Sequence, residues 1–422
     1  MRNHPKYSIQ IISRYIPLVN RAGHFTYLLD IMRYLSQNGY ELELDVLNPW
    51  FHPDEVPQYI REIADVFIMP SSFLRPEDHT TSKTHIKTLF WPWYNRLPSK
   101  LLHPLRSLFY RLRGRSLPGI HKPDAMATEP EIAFIAQSIK QRQFDIMLVT
   151  ETFLGNILTI CKDDDRILKM VLAFDLHHQR SAKFRQSHVR SDHSEWTRHK
   201  EIAQLTWADV VLAVHEEDAS TLRDMIPQAE IFCVPMAAKY HAHSAGEQLA
   251  GRCLFVASDI DHNVSGLRWF LEEIWPKILH KYAAASLHIC GSVCGKFRQS
   301  YQNVWFLGRV ETLDDEYGET SVCLIPLLAG SGLKIKLVEA LSHGRACVST
   351  SVGTQGVGKL SDKAILVADT AEEFANAVCM LLSNSEKRAT MEEEARHYVT
   401  TYLSPDNVYQ PLMNRLNRHY RK

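Results

Sequence analysis

Two lysines and a glutamate follow a Gly-Ser-Gly in GSGLKIKLVEALSHG, residues 330–344. The apolar run before it, SVCLIP, reads as a strand ending near Pro326. Gly330, Ser331 and Gly332 make a turn whose backbone can approach a ligand closely, and a helix is expected from about Leu333 to Ser342. Free N–H groups at a helix start attract phosphate. Lys336 falls in the first turn, where the helix dipole disfavours a cation, so an anionic partner is expected. Glu339 lies three residues on, on the same face, and its carboxylate can accept two hydroxyls, as from a ribose. The constellation reads as nucleotide-diphosphate recognition. A P-loop does not fit, because Leu333 follows Gly332 where Lys-Ser/Thr is needed. A dinucleotide fingerprint does not fit either, because Ile335 holds the place of its third glycine. The bland alternative is an exposed helix with two solvated lysines.

Other candidates lie where strands end. FDLHHQR follows the strand-like ILKMVLA and places His177 and His178 beside Asp175 and Arg180. A lone histidine is usually structural, but two at a strand C-terminus with charged neighbours suit a site. Asn20, Arg21 and Gly23 form the first strand-to-helix loop, and Glu151 follows the strand FDIMLVT. The acidic run Asp163–Asp165 lies between a helix and a strand and reads as a solvated turn, so no metal clamp is expected.

These residues need elements to hold them. YSIQIIS, ELELDVL, ADVFIMP, FDIMLVT, ILKMVLAF, DVVLAVH and EIFCVP read as strands, and an amphipathic helix over 24–38 turns Phe25, Leu28, Leu29, Met32 and Leu35 to one face. Residues 236–251, MAAKYHAHSAGEQLAG, read as a linker. A second alternating series follows: RCLFVAS, a helix over 264–282 with Leu267, Phe270, Leu271, Ile274 and Ile278 inward, then SLHICG, NVWFLG, SVCLIP and RACVST, then helices near 371–382, 384–402 and 405–420. Alternating strands and helices predict α/β architecture with parallel sheets, and 422 residues suit two domains.

Hydrophobic content of 45% and charged content of 23% indicate a folded chain, and a formal net charge of zero argues against a general nucleic-acid binder. No apolar run approaches the ~18 residues of a membrane-spanning helix. The opening MRNHPKYSIQIIS enters a strand without the apolar core of a signal peptide. Most of the eight cysteines lie in apolar runs and are expected to be buried reduced thiols; Cys290 and Cys294 lack the second pair that a metal site would need. One segment breaks the pattern. His79 to Pro123 contain no Asp or Glu but carry Lys83, Lys87, Arg96, Lys100, Arg106, Arg111, Arg113, Arg115 and Lys122 among Phe90, Trp91, Trp93, Tyr94, Phe109 and Tyr110. That composition suits an anionic membrane surface, or an insertion whose aromatics pack on the N-terminal domain. Nucleic acid is a weaker third reading.

GSGLKIKLVEALSHGRACVSTSVGTQG resembles the donor-binding motif of the GT-B glycosyltransferases, specifically glycosyltransferase family 4. LFVASDIDHNVSGLRWFLEEIWPKI, VWFLGRVETLDDEYGETSVCLIPL, AFDLHHQR and ADVVLAVHEEDASTL are similar to further segments of that family. The resemblance implies two Rossmann-like domains facing across a cleft. They would be an N-terminal acceptor-side domain at 1–240, with the basic aromatic insertion at about 79–123, and a donor-binding domain at 241–403. A C-terminal helix at 404–422 would cross back to the N-terminal domain.

The implied activity is transfer of a sugar from a nucleotide-diphosphate sugar, UDP- or GDP-linked, to a glycan or lipid-linked acceptor. It would proceed with retention of configuration, in polysaccharide or glycoconjugate biosynthesis, and no other cofactor is expected. Glu339 would bind the ribose, while Lys336 with Gly330, Ser331, Gly332 and Leu333 would hold the diphosphate. His177 would face the transferred sugar, and Asn20, Arg21, Gly23, Glu151 and Arg180 would lie on the acceptor side. Many members carry a glutamate where this chain has Ser331, and Arg and Lys where it has SDIDHN; Asn263 is the substitute contact there and His262 reads equally as a surface histidine. The location implied is cytoplasmic, peripheral to the membrane face. The alternative is a non-catalytic nucleotide-sugar-binding or scaffold protein of the same fold.

Overall fold

Short, nearly continuous apolar runs make the two sheets. A computed structural model describes residues 7–18, 23–74, 124–186, 195–242, 248–329, 334–357 and 363–419. The basic aromatic segment at 79–123 therefore lies outside the described residues, as do Asn20, Arg21, and Gly330 through Leu333. The chain divides into one unit of Met1–Ala213 with Ser220–Phe232 and a second of Val214–Ala219 with Cys233–Lys422.

The first unit's strands are β1 (Ser8–Ser13), β2 (Glu41–Val46), β3 (Asp65–Ile68), β4 (Ile146–Val149), β5 (Leu168–Ala173), β6 (Val210–Ala213) and β7 (Glu230–Cys233). They form one sheet in the order β3-β2-β1-β4-β5-β6-β7. Strands β4, β5 and β6 are buried along their whole length, as a parallel sheet covered on both faces requires. Helix α1 (Gly23–Gln37) follows β1, and α2 (Glu129–Gln141) precedes β4. Helix α3 (His177–Gln186) follows β5, and α4 (Arg198–Leu205) and α5 (Glu216–Met225) flank β6. Helix α2 starts on a capping box in which Thr128 and Glu131 satisfy each other's backbone ends.

The second sheet runs β10 (Val304–Gly308), β9 (Ser286–Cys290), β8 (Arg252–Val256), β11 (Val322–Ile325), β12 (Cys347–Ser349), β13 (Ile365–Val367). Its five pairings are parallel. Helix α6 (Asp261–Trp269) passes through a π-helical turn, Phe270–Ile274, into Trp275–Lys281. The expected single helix is thus interrupted, because Pro276 has no N–H to give the preceding turn. Its inward residues are as expected: Leu267, Phe270, Leu271, Ile274 and Ile278 are all core. Helix α7 (Ile335–Ser342) follows β11, and α8 (Ala371–Ser383), α9 (Ser385–Tyr398) and α10 (Pro405–His419) end the described chain. No helix among the described residues is long and apolar enough to cross a membrane.

Two elements escape the sequence pattern. Strand β13 has three residues, too few to show a period. The ten-residue run Thr152–Cys161 is 3₁₀-helical, and Gly155 lets it press against α4: a Cβ there would lie 2.0 Å from the carbonyl oxygen of Gln204. The stretch read as a linker is packed at its start, where the Ala238 N–H bonds the Leu403 carbonyl and the His241 N–H bonds the Ser342 carbonyl.

Candidate nucleotide-sugar site

In an open parallel sheet, ligands gather beyond the strand C-termini where the strand order reverses. In the second unit the reversal falls between β8 and β11, which pair directly. Helix α6 leaves β8 and α7 follows β11, so their first turns converge beyond that point. Gly266 sets the spacing. A Cβ on it would lie 2.3 Å from the Pro326 carbonyl oxygen, so only glycine lets α6 cross the end of β11 this closely.

Lys334 is the N-cap residue of α7, and Lys336 lies in its first turn. The Lys336 ammonium donates to Asn263 Oδ1 and lies 5.3 Å from the centre of the Phe255 ring. Asn263 is itself fixed, its Nδ2 donating to the carbonyl and hydroxyl oxygens of Ser258 at 3.0 and 3.3 Å. Among the described residues Lys336 has no carboxylate partner. Burial, and secondarily the charge of Lys334, lower its pKa to about 7. Lys334 is 6% exposed and donates to Gln355 Oε1 at 3.3 Å. His262 shares this field: burial first, then Lys336 and Lys334, lower its pKa to about 4.

Glu339 is one helical turn beyond Lys336. Its Oε2 accepts from the Tyr317 hydroxyl at 3.2 Å. Burial raises its carboxyl pKa, and the Tyr317 hydrogen bond works against that rise. Cations in the first turn of α7, with a carboxylate one turn later, can take an anion and a pair of hydroxyls respectively. Sequence reasoning brought Lys336, Glu339 and Asn263 forward. Lys334 stood in the same motif and His262 read equally as a surface histidine, while Gln355 and Tyr317 were passed over. Tyr317 lies 22 residues from Glu339, and no local pattern links the two.

The corresponding reversal in the first unit lies between β1 and β4. Arg14, just past β1, is clamped by Glu131 through Nε–Oε1 at 2.8 Å and Nη2–Oε2 at 2.9 Å, and by the carbonyls of Ala125 and Met126. Glu151, just past β4, has its carboxyl pKa pushed well up by burial and next by Asp175, against the pull of Arg180 and Arg14. Arg180 donates to Asp175, Asp124 and His177 Nδ1 at 3.0, 3.1 and 2.7 Å. His177 is 2% exposed, its ring between Phe153 and Trp196. Because the guanidinium can only donate, Nδ1 accepts, and the proton belongs on Nε2, which has no described partner. Burial lowers the His177 pKa, in the same direction as the Arg180 bond, which needs an unprotonated Nδ1. His178 is held by Glu201, whose two oxygens also take the backbone N–H groups of His177 and His178. The adjacent histidines therefore differ: one ties down the start of α3, and the other carries a buried free N–H. Gly23 opens α1. Asp164 lies in a turn and pairs with Arg166.

Residues 250–384 match the family model for glycosyl transferases group 1. An uncharacterized 44.6 kDa protein in the cps region of Klebsiella pneumoniae is 23% identical over 151 residues. That match covers 33% of this chain and only 38% of the relative. Similar solved structures span nearly the full chain. Sucrose-phosphate synthase from Thermosynechococcus elongatus is 13% identical with a TM-score of 0.66, covering 98% of this chain and 99% of that one. The pneumococcal O-GlcNAc transferase GtfA, in complex with UDP and GlcNAc, is 10% identical with a TM-score of 0.66 over 99% and 100%. A mutant of S. aureus TarM in complex with Fondaparinux, alpha-GlcNAc-glycerol and UDP is 11% identical with a TM-score of 0.66 over 97% and 99%. The chain therefore has the GT-B fold, and its residues 250–384 are similar to the glycosyl transferases group 1 family.

Proposed function

We propose that this protein transfers a sugar from a nucleotide-diphosphate sugar to a glycan or lipid-linked acceptor, with retention of configuration. The observation that carries the reading is Lys336. A lysine depressed to about 7, fixed by a neutral amide in the first turn of a helix, is a charge waiting for an anion. In the proposed reaction the bond between anomeric carbon and phosphate oxygen breaks, and its electron pair leaves with the nucleoside diphosphate. The acceptor oxygen bonds the same carbon and gives up its proton to the departing diphosphate oxygen. Charge grows on the leaving phosphate, so fixed positive groups beside it lower the barrier. Lys336, Lys334 and the α7 N-terminus supply them, with Gly330, Ser331, Gly332 and Leu333 as the backbone cradle. Glu339 takes the ribose hydroxyls. Asn263 acts as a positioning residue, holding the Lys336 ammonium in place. UDP is the leading nucleotide, because related folds were solved with UDP bound.

In the first unit, the neutral Nε2–H of His177 is the donor offered to the sugar, and Glu151 and Arg180 are assigned to the acceptor side with Asn20, Arg21 and Gly23. The segment at 79–123 would seat the protein on an anionic, cytoplasmic membrane face; co-sedimentation with phosphatidylserine vesicles, lost in high salt, tests that.

The deciding experiment is a thermal-shift panel of UDP, GDP, ADP, CMP and dTDP with their sugar conjugates. One nucleotide should stabilise the wild type, by about 2.7 kcal/mol at 100 times its dissociation constant, and should not stabilise Lys336→Ala. No response to any nucleotide, or an equal response in the variant, would remove the donor site from α7.

A further inference from the structure

We propose that His241, Asp314 and His343 form a divalent transition-metal site, best matched to zinc, at the end of α7 opposite Lys336. The proposal does not rest on the donor reading. Three separate segments bring the ligands together. His343 is the C-cap of α7, His241 belongs to the irregular segment whose backbone is tied to Ser342, and Asp314 opens the short helix Asp314–Gly318. Their ligand atoms all lie within 4.8 Å of one another. Asp314 Oδ1 is 3.7 Å from His241 Nδ1 and 3.7 Å from His343 Nε2. That spacing is too long for a hydrogen bond. It exceeds the roughly 3.3–3.4 Å edge of a zinc tetrahedron, built on bonds of about 2.0–2.1 Å, by only a few tenths of an ångström.

The chemistry of the set agrees. Two imidazoles and a carboxylate suit zinc and leave a fourth position for water. The His241 and His343 rings stack at 4.4 Å and 22°, so bringing both lone pairs onto one ion requires the exposed His241 ring to rotate out of the stack while His343 stays in place. The C-terminal end of a helix favours a cation. His241 and Asp314 side chains are each 51% exposed, so an ion can enter, while His343 is 7% exposed and anchors the cluster. The segment holding His241 is built in rather than draped. Gly344, at φ +59, leaves room for the Tyr240 ring, which a Cβ there would approach to 3.0 Å.

The site would also reach Glu339. The His343 ring stacks on Tyr317 at 4.4 Å and 11°, and the Tyr317 hydroxyl bonds Glu339. A metal fixing His343 and the helix of Asp314 would hold Tyr317 from both sides and so brace Glu339.

The test uses the full chain, untagged, stripped with a chelator and desalted. Zinc chloride titrated by calorimetry at pH 7.5 should show one site of roughly micromolar affinity. His241→Ala and Asp314→Asn, both at exposed positions, should each weaken it at least about tenfold. Cobalt should give a visible d–d spectrum without a thiolate charge-transfer band. No binding tighter than about 100 μM, binding unchanged in both variants, or a cobalt–thiolate band would each overturn the proposal.

Discussion

With a diphosphate bound beside Lys336 as proposed, the depressed pKa of Lys336 should make nucleotide affinity depend on pH, with a sign opposite to what ionisation of the ligand alone would give. In the free protein the ammonium is about half ionised near pH 7, because burial and Lys334 disfavour the charge. A bound diphosphate favours the charged form, and an opposite charge in contact raises a pKa by 1–3 units, so about 9 is a reasonable bound value. Binding then takes up a proton, and affinity falls as pH rises through the window from about 7 to 9. Those two values give a loss of about 20-fold between pH 6.5 and 8.5, near 1.8 kcal/mol. The other groups facing the ammonium do not mimic this effect. Asn263 and Phe255 carry no charge, and His262, at about 4, stays neutral throughout. The terminal phosphate, with a second pKa near ~6, is mostly ionised from pH 6.5 upward and would push affinity the other way. Calorimetry with UDP, or whichever nucleotide responds, across that range is the assay. Lys336→Met should bind weakly with a flat profile, and Lys336→Arg should bind with a flat profile because its charge does not titrate. A flat wild-type profile, or the same slope in Lys336→Met, would refute the reasoning.

Three further outcomes follow from the packing. Gly266→Ala gains up to about 1 kcal/mol of helix propensity, but its Cβ would meet the Pro326 carbonyl oxygen at 2.3 Å. Overlap costing about 1–3 kcal/mol should win, so urea melts should move down and nucleotide affinity should fall as Asn263 is displaced. Tyr317→Phe removes the hydroxyl that Glu339 accepts from, and should weaken nucleotide binding about fivefold, near 1 kcal/mol, while leaving the fold intact by circular dichroism. Arg14→Met strands a buried carboxylate and should cost about 3–5 kcal/mol in chemical denaturation, with partial recovery in the double variant carrying Glu131→Gln. Burial alone would raise the Glu131 pKa, but Arg14 and Thr128 hold it below its ordinary value. The stability it contributes is therefore present above the usual carboxylate range and lost as pH falls below about 4.5, a loss that Arg14→Met should abolish.

What the sequence showed of this protein depended on how local each signal was. The turn-and-helix of α7 could be read because glycine, lysine and glutamate spacing is a property of one segment, and the helix begins within two residues of its expected start. Asn263 could be placed beside that segment only through the order of strands, and Lys336 is the contact that results. Tyr317, Gln355 and Glu201 were not legible, since each acts on a residue about 20 or more positions away with nothing nearby to mark it. His177 is the instructive case. Its position at a strand end pointed to a site, but its burial between Phe153 and Trp196 depends on residues far along the chain. The His241–Asp314–His343 cluster was invisible for the same reason, and one member lay in a stretch that read as a linker.

The two strand-order reversals are built alike and charged differently, and the difference bears on what each can bind. At the first, Arg14 is held by Glu131, and Arg180 by Asp175 and Asp124. Cations so neutralised offer little to an anionic ligand; what that site presents instead is Glu151, whose carboxyl pKa burial pushes well up, and the Nε2–H of His177. At the second, Lys336 faces a neutral amide and its charge is suppressed instead of balanced. Suppressing an unpaired charge costs the fold stability, because the unfolded chain holds the proton more tightly. A ligand that brings negative charge removes that cost on binding. Neutral hydroxyl-bearing groups suit the first arrangement and a diphosphate suits the second, which is the division of acceptor and donor that the proposed function assigns to the two units.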